Sequence, residues 1–283
     1  MFTIARLTFS EMLNKRILLL GMVLTVLYLG LFGLGLHYLE KQMQDSVELV
    51  RMALAGELLT AGLFFTGTMA SAITIFCSVG IISSEIENGI MLATAAKPLS
   101  RLQIFLGKYI GLSLPLVGYS LLVFVATNMI VWGIFRFYSS GFLIAMAFFA
   151  LQPLVLLAVS LWGSTFLNPL GNGIFMFMLY SVSLVGGVVE YVGMQMSTAA
   201  ASAGVASSLT ILGILTSLLM PVDSLYRTVN FTLLYGSSLP SQALALNPFS
   251  TTNPASTGML AYAAGYVLFF IGLGIYKFSR RDI

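Results

Sequence analysis

Charge is what this chain has least of: only 8% of its 283 residues are Asp, Glu, Lys or Arg, against 58% hydrophobic, and the mean hydropathy is +0.98. So little polar surface cannot cover a soluble core, which leaves a multi-span membrane protein. Cysteine and histidine are almost absent as well. Cys77 and His37 each stand alone, so the chain builds neither a disulfide framework nor a Cys/His metal site of its own. No G-x-x-x-x-G-K-[ST] loop occurs, because Gly107-Lys108 is followed by Tyr109 and lacks the upstream glycine. Without that loop there is no cradle for nucleotide phosphates, and ATP hydrolysis by this chain alone is excluded. A serine-hydrolase elbow is missing too, and a sole histidine at the end of an apolar run supplies no general-base constellation. The net charge of +3 is small and its cations sit beside apolar runs, which argues against a nucleic-acid partner.

What is present is six apolar runs, at residues 17–36, 58–82, 103–135, 141–166, 173–189 and 259–276. Each is close to the roughly 20 residues of helix that cross a bilayer. Asn168-Pro169-Leu170-Gly171-Asn172, a concentrated turn signal, parts the fourth run from the fifth. Residues 1–16 place Phe2, Ala5, Phe9, Met12 and Leu13 on one helical stripe, and Thr3, Arg6, Ser10 and Asn14 on another. That pattern suits an uncleaved helix lying at the membrane interface. Residues 205–220 are apolar enough for a seventh span, but their Ser/Ala-rich approach and their Met220-Pro221-Val222-Asp223 ending favour an external or re-entrant helix packed on protein. The expected architecture is an all-α membrane protein with a single transmembrane domain over 1–283. It has six transmembrane helices, an interfacial helix over 1–16, a cytoplasmic loop over 83–101 and an external helical insertion over 195–256 before the last span.

The cations orient this scheme. Arg6, Lys15, Arg16, Lys97, Arg101, Lys108, Lys277, Arg280 and Arg281 fall on one side, and Lys41, Arg51, Arg136 and Arg227 on the other. Cationic loops are retained in the cytoplasm, so nine against four puts both termini there. Glu190 is the one acid at the margin of a run where burial is in question. At ~1.5 Å per residue it stands about 25 Å along a helix begun at Gly173, where it is expected to snorkel into outer headgroups rather than stay buried as a functional carboxylate. Met146, Met176 and Met178 lie in apolar runs as ordinary filler. Gly107-x-x-x-Gly111 admits a close helix, either from this chain or from a second copy.

The polar island SSEIENGIMLATAAKPLSRLQIFLGK, residues 83–108, separates the second run from the third. Glu85 and Glu87 suit basic groups on a partner, and Ile86, Ile90 and Met91 suit apolar anchoring. Pro98 stops one helix before Ser100 caps the next. Arg101 and Lys108, seven residues apart, share a helical face and are candidates for lipid phosphates. The series Glu85, Glu87, Gly89, an apolar stretch, Lys97-Pro98-Leu99-Ser100-Arg101 and then Leu106-Gly107-Lys108 resembles the cytoplasmic loop of ABC-2-type transporter permeases. Met220-Pro221-Val222-Asp223-Ser224-Leu225-Tyr226-Arg227 resembles the Asn-Pro-x-Asp-x-Tyr-Arg element of the branch that includes the permease of the nitrous-oxide-reductase maturation system. Here Met220 replaces the Asn and one extra residue precedes Tyr226; the tail Phe278-Ser279-Arg280-Arg281-Asp282 is also familiar from that branch.

The resemblance implies a non-catalytic permease subunit of an ATP-driven ABC exporter, in the cell membrane of a bacterium or archaeon. Residues 83–101, with Glu85, Glu87, Gly89, Ile90, Lys97, Pro98, Ser100 and Arg101 at their centre, would be a coupling element seated in a cleft of a separate ABC ATPase. ATP and magnesium would be held by that ATPase, with no cofactor on this chain. The permease would pair as a homodimer in contact with membrane lipid. Two other functions stay open. One is a mechanotransmitting membrane factor for maturation of a periplasmic or surface partner. The other is an ion-driven secondary transporter, for which inverted halves and midplane charges would be expected.

Overall fold

A computed structural model describes residues 2–43, 47–89, 100–198, 203–236 and 257–280. Among them the elements are helices with no strand: α1 (Phe2–Leu13), α2 (Arg16–Gln42), α3 (Glu48–Ser78), α4 (Ser83–Glu87), α5 (Arg101–Phe135), α6 (Phe142–Ser164), α7 (Pro169–Thr198), α8 (Ala203–Leu219), α9 (Val222–Tyr235) and α10 (Thr257–Ser279). Helices α2, α3, α5, α6, α7 and α10 are long and apolar enough to cross a membrane, so the chain is an all-α membrane protein as its hydropathy predicts. The helix α2 and the closing α10 are the least covered by the rest of the chain. Lys15, Lys108, Arg101 and Lys277 gather at the end of the bundle that carries α4, whereas at the far end Lys41 and Arg136 close helices and Arg51 stands in the first turn of α3.

Several helices run past the boundaries that composition predicts, and each has a local cause. The third helix in order, α3, starts at Glu48 rather than 58, because Arg51 Nη2 meets Glu40 Oε1 across the α2–α3 hairpin at 3.4 Å. At the start of α7 the predicted turn becomes a cap. Asn168 Oδ1 accepts from Gly171 N at 2.8 Å with Pro169 at the first helical position, where its missing N–H costs nothing. Helix α5 begins on a capping box, with Ser100 Oγ accepting from Gln103 N at 3.3 Å and Gln103 Oε1 accepting from Ser100 N at 3.2 Å. The stripe that α1 buries contains Thr8 and Met12, while Leu7 and Leu13 stay exposed. It lies against Gly111, where a Cβ would come within 2.6 Å of Ala5 O, so this close approach is made within the chain.

Three apolar clusters fill the bundle. Met12, Cys77, Ile82, Phe105 and Phe278 pack near the α4 end, and Leu59, Phe124, Phe135 and Phe149 near the far end. The third ties α6, α7, α9 and α10 together through Val155, Met176, Tyr180, Leu225 and Tyr266. Met176 is fully covered there, as ordinary packing.

Residues 203–235 form a bent pair, α8 and α9, crossing at 107° over Met220-Pro221. The bend lies deep in the bundle: Tyr266, tenth of the 23 residues of α10, donates its hydroxyl to Leu219 O at 2.6 Å. A backbone break at that depth leaves carbonyls that no solvent satisfies. Side chains supply the donors instead, with Tyr262 on Leu218 O at 2.6 Å, Ser183 on Met220 O at 2.8 Å and Ser224 on Pro221 O at 2.9 Å. Glycines set the spacing of α7 and α8. A Cβ on Gly213 would lie 2.3 Å from Glu190 Cβ and 2.8 Å from its Cα, so the helices touch backbone to backbone. Gly213→Ala is expected to cost about 1–3 kcal/mol, the range for overpacking a tight contact. Gly30→Ala on α2, where nothing lies within 4 Å, should be neutral or slightly stabilising. Thermal melting of the purified variants checks both.

Candidate functional site

The α3–α4 junction is built by the polar side chains that close it. Helix α3 ends at Ser78, and α4 restarts five residues later, which leaves carbonyls and N–H groups unpaired at the seam. Every one of those named next finds a partner from another helix or turn. Asn172 Nδ2 donates to Val79 O at 2.9 Å and to Ser160 O at 3.0 Å, and Ser84 Oγ donates to Gly80 O. Lys108 Nζ donates to Ile81 O at 2.8 Å, and Ser164 Oγ accepts from Ile82 N at 3.2 Å and Ser83 N at 3.1 Å. Ser78 Oγ reaches Ser160 Oγ at 2.8 Å. Gly163 makes room for this network, since a Cβ there would meet Asn172 Oδ1 at 2.2 Å. Thus α4 is tied directly to α5 and α6, and the turn that joins it to α3 is held by α5, α6 and α7.

Of the expected site residues, Glu85 and Lys108 are brought together as an ion pair. The Lys108 side chain is 5% exposed and that of Glu85 23%. Lys108 therefore faces protein, and not the lipid phosphate for which it was a candidate; the open Ile81 carbonyl and the Glu85 carboxylate draw it inward. Arg101, the other lipid candidate, donates from Nη1 to Phe278 O at 3.2 Å and Ser279 O at 3.1 Å, capping the end of α10. Ser100 caps α5, and Ile86 packs half-buried against the apolar cluster at this end. Glu87 and Asn88 are exposed, and Gly89 closes α4 with φ +71°, a conformation that suits glycine. Ile90, Met91, Lys97 and Pro98 lie outside the described residues. Sequence reading missed the role of Ser78, Ser160, Ser164 and Asn172; the three serines signal themselves only as small polar side chains within apolar runs, and Asn172 only as part of a turn.

A second polar constellation sits in the bundle interior. Glu190 was expected among outer headgroups, yet it is 4% exposed and its Oε1 takes Arg227 Nη1 at 2.5 Å. The correction follows from helix length: α7 continues to Thr198, so Glu190 stands eight residues short of its end, with α8 packed over it at Gly213. Arg227 Nη2 donates to Ser217 Oγ at 3.3 Å, and Arg227 Nε lies 3.0 Å from Asp223 Oδ2 as an ion contact that is not aligned as a hydrogen bond. Gly187 leaves the space for Asp223, because a Cβ there would lie 2.1 Å from Asp223 Oδ1.

Six helices of spanning length, a short polar helix clamped at one end and a bent pair held inside define a polytopic helical membrane domain. No curated protein matches the chain significantly. The family model for ABC-2 family transporter proteins, however, matches residues 2–283. The chain belongs to that family: it is the membrane domain of an ABC transporter permease, a class of subunit that is generally non-catalytic and generally works with an ABC ATPase.

Proposed function

We propose that this permease is the membrane subunit of an ATP-driven exporter, and that the α4 end is where a separate ATPase delivers its work. The single observation that supports this reading is the clamping of α4. A push on a five-residue helix is lost unless the helix is rigidly joined to the spans. Here α4 is bonded to α5 through Glu85 and Lys108 and to α6 through Ser83 and Ser164, with the turn before it held by α5, α6 and α7, while Glu87 and Asn88 remain outside. In this reading the α4 end and both termini face the cytoplasm, two copies of the chain pair, and ATP and magnesium reside on the ATPase. Glu85 serves as the internal anchor of the coupling element and Glu87 as its partner-facing acid, with Gly89, Ile90, Lys97, Pro98, Ser100 and Arg101 completing residues 83–101. The likeness of residues 220–227 to the nitrous-oxide-reductase maturation branch favours a second reading, in which the same ATPase drives mechanical work on a partner outside the membrane.

Glu87→Lys reverses the exposed charge without touching the clamp. Copurification with an ABC ATPase coexpressed from the same genome should fall at least tenfold, while the permease still inserts and elutes as wild type. Retention of the ATPase at wild-type level would overturn the docking role of Glu87. ATP-dependent uptake into inside-out vesicles separates export from mechanical work, which needs no net solute movement.

A further inference from the structure

The triad at the α8–α9 bend does not balance its charge. Glu190 and Asp223 carry two negative charges against one positive on Arg227, and these are the charged groups that act on Asp223. All three residues are at least nine-tenths covered. An uncompensated charge in such a place is costly, and the economical resolution is neutralisation by a proton. The depth is set by neighbours: Asp223 lines a small cavity with Gln152, which is the eleventh of the 23 residues of α6 and so stands at the middle of a spanning helix.

The walls of that cavity are mostly apolar, with Phe64, Leu184 and Val222 among them, but five polar side chains also reach it. Asp223, Gln152, Thr68, Tyr180 and Tyr226 face it, and its free space is about 10 Å³ for the centre of a water. A single water needs ~10–15 Å³ by that measure. Gln152 is 3% exposed, and its Nε2 has no hydrogen-bond partner. Glu190 Oε2 is likewise unsatisfied. A buried amide without a partner, aimed into a pocket beside a carboxyl, marks a place built for one more small polar species.

We infer that the triad is a proton-binding site, with one proton held on Asp223 at neutral pH and exchanged through the Gln152 cavity. Asp223 takes it rather than Glu190 because Glu190 makes the short, aligned bond to the guanidinium, whereas Asp223 touches Arg227 only off-axis. The other titratable groups around the site do not compete. Tyr180 on α7 and Tyr226 on α9 line the cavity as hydroxyls, with Tyr226 donating to Thr60 O at 2.7 Å. Tyr262 and Tyr266 on α10 are engaged with the carbonyls of the bend, and Tyr28 on α2 lies beyond Tyr226. From α6 and α8 the facing side chains are Gln152 and Ser217, which do not titrate. Glu57 on α3 stands ten residues from Gly67 at the cavity wall, roughly 15 Å along the helix. This inference stands independently of the ATPase reading.

Infrared spectroscopy of the purified permease in an ester-free detergent tests it. A protonated-carboxyl band is expected at neutral pH, one that disappears in Asp223→Asn and also in Glu190→Gln, where Arg227 is left to balance Asp223 alone. Should Asp223→Asn fail to fold, wild-type protein grown with aspartate carrying a heavy-carbon carboxyl keeps the question open to measurement. The chain has only three aspartates, and Asp223 is the one placed within the packed bundle among the described residues. The band should then shift to lower frequency with labelled aspartate and stay in place with labelled glutamate. Absence of any protonated-carboxyl band at neutral pH, or a band that moves only with labelled glutamate, would overturn the proposal.

Discussion

Glu85→Ala is expected to cost the helical bundle about 3 kcal/mol, within the 3–5 kcal/mol typical of removing one partner of a buried ion pair. The substitution strands Lys108, whose ammonium then keeps only the Ile81 carbonyl in a site that is 5% exposed. Lys108→Met should cost less, about 1–2 kcal/mol, because the Glu85 carboxylate left behind is 23% exposed and can recruit water. A double-mutant cycle on thermal or denaturant unfolding isolates the coupling between the two. If Lys108→Met proves the more damaging change, the burial argument for this clamp fails. The cost should also appear in function, since an α4 released from α5 moves independently of the spans: ATPase binding would persist while its hydrolysis no longer responds to the permease.

The spans and the island were legible because hydropathy and turn chemistry are local properties. Residues 58–82 read as a membrane run from composition alone, and Ser100 after Pro98 reads as a helix start from residue type alone. What Glu85 and Lys108 do to each other was not legible, because 23 residues separate them and the pairing is decided by where the break after Ser78 leaves the Ile81 carbonyl. The misplacement of Glu190 is more instructive. The fifth run ends at 189, just past Gly186-Gly187, and counting rise per residue from Gly173 put the acid among headgroups. Those glycines instead lie mid-helix, where Gly186 meets Thr216 and Gly187 meets Asp223. Rise along a helix gives height in the membrane but not what is packed against that height. Asp223 and Arg227, four residues apart on α9, do present one face, yet nothing in the local pattern names the third member of the triad on α7.

Arg227→Met is expected to be the most damaging single change in the interior. It removes the cation that pairs with Glu190 and Asp223, two acids that are both more than nine-tenths covered, at 4% exposure for Glu190 and 7% for Asp223. Loss of about 3–5 kcal/mol follows from stranding one buried charge, that of Glu190 beside the protonated Asp223. The α8–α9 bend depends on the same contacts, since Arg227 also holds Ser217 on α8 while Glu190 holds α7. A reduced yield of folded protein and a melting temperature lowered by several degrees, ~2–4 °C for each kcal/mol in a chain of this size, would be the readout. Adding Glu190→Gln and Asp223→Asn to Arg227→Met separates charge from shape. Those two changes keep the volumes, remove the stranded charge of Glu190 and bar Asp223 from ionising, so the triple variant should recover most of the lost stability, as neutral replacements of buried ion clusters do. Failure of the triple variant to exceed the single one would mean that the guanidinium acts as a packing element between α7, α8 and α9 rather than as a counter-ion, and the charge argument for the bend would fall with it.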